Sequence, residues 1–97
     1  MITIYKYTIS PSNEPNVIQM PQGASIISCG IDGFGERNVW ALVDTTKPTE
    51  KRKIWCVGTG WNLEDMLNNT CISYLGTIKD NYYIWHIFEE VDEEVRS

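Results

Sequence analysis

Histidine occurs once in the 97 residues, at His86, and cysteine three times, at Cys29, Cys56 and Cys71. No CxxC pair and no His/Cys cluster can be assembled from so few groups, so a metal site is not expected. The cysteines alternate with apolar residues and read as small buried hydrophobes. No apolar run approaches the length of a membrane span, and “MITIYKYTI” has no signal-peptide anatomy. The expectation is therefore a reduced, cytoplasmic protein that does not touch a membrane. Basic residues are also scarce, eight against thirteen acids, for a net charge of −5. That balance argues against broad electrostatic binding to a nucleic-acid polymer. No carboxylate pair or nucleophile–base set stands at readable spacing, so the chain is not expected to be an enzyme and no cofactor is implied.

What is present is β-branched and aromatic, with four Trp and five Tyr in a chain long enough for one small core. Segments 2–9, 17–20, 24–31, 38–44, 52–58, 71–78 and 82–88 read as strands, separated by Pro-, Gly-, Asn- and Asp-rich turns. The Asp-Gly pair at 32–33 is the strongest hairpin signal. One short helix is expected near 62–68. The fold class is mainly β, with six or seven mostly antiparallel strands as a small barrel or curved sheet. Segment 38–44 is apolar on both faces, and Trp55 faces away from Ile54 and Cys56. So small a sheet cannot cover both faces alone, which implies a closed barrel or a homo-oligomer. Residues 1–88 form the single domain. Residues 89–97, “EEVDEEVRS”, carry five acids and one Arg and read as a solvated acidic tail.

The stretch “VGTGWNLED” (57–65) has two readings. In one, Gly58 and Gly60 close a turn, Asn62 caps the helix, and Trp61 with Met66 forms a hydrophobic staple. In the other, a glycine turn before a helix offers backbone N–H groups to a phosphate or carboxylate. It matches neither a P-loop nor a dinucleotide fingerprint, and Glu64 and Asp65 compete for the same positive end. “KRK” (51–53) reads as a solvated edge, and it is also the only cluster able to neutralise a phosphate. On the binding reading the ligand-binding residues are Arg52, Gly58, Thr59, Gly60, Trp61, Tyr74 and His86. The glycine turn would accept the anion, Arg52 would supply charge, and Trp61 or Tyr74 would stack on a base. His86 lies on a strand face with Ile84 and Phe88, where a lone His is usually a packed residue.

The ordered set “YKY” (5–7), “PQGASI” (21–26), “WALVD” (40–44), “VGTG” (57–60), “YLGT” (74–77) and “WHIFE” (85–89) resembles a family of short proteins encoded by bacteriophages and mobile elements. The resemblance runs from about residue 4 to residue 89. A His follows “GTG” in the family pattern; Trp61 takes that position here. The resemblance implies a protein that acts on host machinery, either by sequestering a nucleotide-type immune signal or by covering a host protein through a sheet edge or the acidic tail.

Overall fold

The structure, a computed structural model, describes residues 1–91. Seven strands and one helix follow in the order β1 (Ile2–Thr8), β2 (Asn16–Pro21), β3 (Ser25–Ile31), β4 (Arg37–Asp44), β5 (Thr49–Gly58), α1 (Glu64–Asn69), β6 (Cys71–Asp80) and β7 (Tyr83–Val91). All pairings are antiparallel. They build a three-stranded sheet, β1-β4-β3, and a four-stranded sheet, β2-β5-β7-β6.

The two sheets are not closed into a barrel. They face each other across one core, and the molecule is a slab with Cα extents of 40 × 39 × 17 Å. Alternation along each strand decides what fills the space between them. From the first sheet come Val39, Ala41 and Val43; from the second come Ile54, Cys56, Ile78 and Ile87, all buried. Gly76 lets the sheets approach closely, because a Cβ there would lie 2.5 Å from Cys29 Sγ. β6 bulges between Tyr74 and Gly76, and the extra residue, Leu75, packs against the core.

The outer face of the four-stranded sheet has its own cover. Trp55, Val57 and Met66 form a second buried cluster with Leu63, Ile72 and Phe88 against it. Helix α1 supplies Met66 to that cluster, so the face carrying Trp55 is covered within the chain rather than by barrel closure.

Two boundaries differ from the sequence reading. The acidic segment does not begin as a solvated tail: β7 runs on to Val91, so Glu89 and Glu90 belong to the sheet. Glu89 Oε2 accepts a bond from Arg52 Nε and Glu89 Oε1 one from Arg52 Nη2, while Glu90 Oε1 accepts from Trp55 Nε1 at 2.8 Å. Each acid meets a donor on the neighbouring strand, which outweighs its preference for solvent. Residues 92–97, the rest of the expected tail, lie outside the described residues. The helix also starts later, at Glu64, with Leu63 rather than Asn62 at the cap position; Asn62 still accepts the Glu64 N–H at 2.9 Å.

Candidate functional site

The glycine turn resolves by geometry. The Thr59 N–H donates to the Ile84 carbonyl at 3.3 Å, and the Trp61 N–H to the Gly58 carbonyl at 3.2 Å. Two of the amides expected to face an anion are therefore spent inside the fold. Gly60 adopts φ +87°, the left-handed region that glycine enters without strain. Gly58 is required by a side chain: a Cβ there would sit 2.6 Å from Trp61 Nε1. The turn folds the Trp61 indole back over the strand end, where it meets Trp85 edge to face at 5.9 Å. Trp61 is therefore held by Trp85, while Met66, its expected staple partner, packs with Trp55 and Val57 and lines a hollow with Trp61.

Arg52 does not join this turn. It stands six residues from Gly58 on β5, about 20 Å along an extended strand. Its guanidinium is engaged by Glu89 and by the Ala24 carbonyl at 2.9 Å, and Glu50 approaches within 3.8 Å. The Glu89 hydrogen bonds hold the Arg52 pKa above its ordinary value against the opposing effect of burial. Lys53 in turn lies 3.8 Å from Glu90. Arg52 and Lys53 are thus compensated by β7, while Lys51 is exposed and has no acid partner among the described residues. The anion pocket combining Arg52 with Gly58–Gly60 is not formed.

The other expected residues are partly gathered. His86 Nε2 is 2.7 Å from Thr59 Oγ1, which joins β7 to the end of β5 on the outer face. His86 pairs across the ladder with Thr77, whose hydroxyl bonds the Tyr74 hydroxyl. Tyr74 remains 59% exposed and packs edge to face on Phe88 at 5.6 Å. No acid among the described residues is bonded to His86, so the Thr59–His86 pair lacks the third group that would orient it as a base.

Three hollows have Trp61 as a wall, one of them lined only by Asn13, Trp61 and Asn62; the other two are more fully built. The deeper, about 290 Å3, lies between α1 and the outer sheet face. Trp55, Val57, Leu63 and Met66 give it an apolar lining, and Asn13, Asn62, Asp65, Asn69 and Thr70 stand around it. Three of those polar side chains are committed: Asn62 to the Glu64 N–H, Asn69 to the Asp65 carbonyl and Thr70 to the Met66 carbonyl. The exposed Asn13 carboxamide has no partner among the described residues. The shallower hollow, about 500 Å3, is lined by Gly58, Thr59, Trp61, Tyr82, Tyr83, Ile84 and Trp85. Tyr83 stacks on Trp85 at 5.6 Å and 14°, and Arg37 lies over the Trp85 ring while bonding Asp80 at 2.9 Å. Trp85 Nε1 is buried without a hydrogen-bond partner among the described residues.

A family model described as a domain of unknown function, DUF7352, matches residues 1–97. The chain belongs to this family. No curated protein and no solved structure matches it. No helix among the described residues is long and apolar enough to cross a membrane.

Sequence reasoning grouped Arg52, Gly58, Thr59, Gly60, Trp61, Tyr74 and His86 at one site; the fold brings Thr59 to His86 and Gly58 to Trp61 and leaves Arg52 apart. The same reasoning missed Asn13, which sits in a featureless loop, and it read Trp55 and Trp85 as ordinary strand aromatics. The signal available was the alternation itself, since residues two apart on β5 and β7 share a face with the glycine turn at its end.

Proposed function

We propose that this chain is a non-enzymatic binding protein whose ligand is a planar, ring-bearing small molecule of nucleotide type, held against Trp61. The observation that carries the reading is the presentation of that indole. It is 41% exposed, clamped between Gly58 and Trp85, and borders both of the fuller hollows. A rigid aromatic plane beside an unengaged Asn13 amide suits a ring with hydrogen-bonding edges. Among the described residues no basic side chain lines either hollow, so recognition rests on the ring and any phosphates stay in solvent. Combined with the resemblance to proteins of bacteriophages and mobile elements, the role is removal of a nucleotide-type immune signal inside a host cell.

The reading has a distinctive consequence. A nucleoside binds nearly as well as its nucleotide, and affinity changes little with salt, because no ion pair forms. Tryptophan fluorescence titration with nucleosides, mononucleotides and cyclic dinucleotides tests it. Trp61→Ala is expected to weaken binding by about 1–3 kcal/mol, the scale of base–aromatic stacking. Absence of quenching by every ring-bearing ligand, or a steep salt dependence, refutes it.

The second reading, an inhibitor that covers a host protein, draws on the open edge of β1. Its acidic-tail form is weakened by the engagement of Glu89 and Glu90 within the sheet.

A further inference from the structure

β1 ends the three-stranded sheet, with β4 on one side and, among the described residues, no strand on the other. The ladder shows which of its backbone groups face outward. The Ile9 N–H donates to the Arg37 carbonyl at 2.9 Å, and the Met1 carbonyl accepts the Thr45 N–H at 2.8 Å. Bonded and non-bonded pairs alternate in an antiparallel ladder. The odd positions of β1 therefore bond β4, and Ile2, Ile4, Lys6 and Thr8 point their N–H and C=O groups to the open edge.

Little protects that edge. β1 carries no proline, and the irregularity in this sheet lies in β3, between Ile26 and Ser28. Its single charge, Lys6, is 3.0 Å from Asp32 and lies over the Phe34 ring at 5.7 Å. The usual guard, an unpaired lysine, is thereby neutralised. Ile2 and Ile4 are 71% and 53% exposed, and Leu42, the cross-strand partner of Ile4, is 43% exposed. These three share the sheet face turned away from the core.

We propose that β1 pairs antiparallel with β1 of a second copy of this chain, about a two-fold axis at Ile4. A strand is complementary to itself in this arrangement, since the outward groups of one copy meet those of the other at the same spacing. Ile4 then faces the second Ile4, Ile2 faces Lys6, and the two sheets become one of six strands with a continuous apolar stripe. Charge also favours a second copy. The chain carries −5 overall, but Lys6, the one charged side chain of β1, is paired with Asp32, so two copies can meet along β1 without an uncompensated charge from the strand and a strongly charged partner finds little to read. One seven-residue edge falls in the small interface class, below about 1,200 Å2, the class of weak and transient contacts, so the dimer is expected to dissociate on dilution.

Sedimentation of the full chain across the micromolar range tests the pairing, with two variants. Ile4→Lys puts like charges at the axis and is expected to leave a monomer of unchanged melting temperature. Ile4→Cys is expected to cross-link symmetrically on mild oxidation, since paired Cα atoms at a bonded position lie about 5.5 Å apart, within disulfide reach. Ile2→Cys is not, because its symmetry mate lies four residues along the partner strand. A wild type that stays monomeric at high micromolar concentration overturns the proposal. So does a dimer that survives Ile4→Lys, or a β1 edge found occupied by an unrelated protein while the chain alone is monomeric.

Discussion

Removing the Arg52 guanidinium is expected to cost stability and leave ligand affinity intact. Arg52 donates twice to Glu89 and once to the Ala24 carbonyl, with the two side chains only 17% and 13% exposed. Breaking one partner of a fully buried pair costs about 3–5 kcal/mol. Residual solvent contact lowers that here to about 2–3 kcal/mol for Arg52→Ala. At about 4–8 °C per kcal/mol for a domain of this size, the midpoint falls by about 10–20 °C. Glu89→Gln is expected to do comparable damage. The double variant should cost much less than the two singles together, since each single already breaks the pair. Urea unfolding of the four proteins measures this directly. A loss below about 0.5 kcal/mol for Arg52→Ala, the size of an ordinary surface change, refutes the structural role. Lost ligand affinity at unchanged stability would return Arg52 to a binding site.

The remaining expectations follow from single contacts. Gly58→Ala drives a methyl into the Trp61 indole, costs about 1–3 kcal/mol and shifts tryptophan emission as the ring is displaced. Gly60→Val forces a β-branched residue to φ +87°, so it lowers thermal stability, read by calorimetry. The Asp32 carboxyl is held well below its ordinary pKa of 3.8, chiefly by the Glu36 N–H and then by Lys6. Its folded pKa is the lower one, so its stabilisation is present above the unfolded value and is lost as pH falls below it. Asp32→Asn therefore flattens the acid limb of the stability–pH curve. Burial pushes the Cys56 thiol up to about 11, so at mildly alkaline pH it reacts with a disulfide reagent only after unfolding.

How much was legible in the sequence varies with the range of the interaction. Strand periodicity is local, and segments 38–44 and 71–78 fall within or close to β4 and β6. The hairpin at Asp32–Gly33 was legible too, although the loop closes between Asp32 and Glu36 with Gly35 at φ +79° and Asp32 accepting the Phe34 and Glu36 amides. What stayed hidden depends on which strands become neighbours. Nothing in “KRK” or “EEV” announces that Arg52 will meet Glu89, thirty-seven residues away, so one looked like free charge and the other like a tail. The covering of Trp55 by Met66 has the same cause, since a six-residue helix gives little periodicity to read. Trp61 was noticed as a stacking candidate, but its clamp by Gly58 and Trp85 required knowing that β5 and β7 are paired.

The central claim is that ligand recognition rests on the Trp61 plane and not on charge. Calorimetric titration of wild type, Trp61→Ala and Arg52→Ala against one nucleoside and its 5′-phosphate tests it most directly. The account predicts similar affinity of the wild type for both ligands, a loss of at least about fivefold in Trp61→Ala, and no change in folded Arg52→Ala. Binding of the phosphate alone, abolished by Arg52→Ala and indifferent to Trp61→Ala, would contradict it.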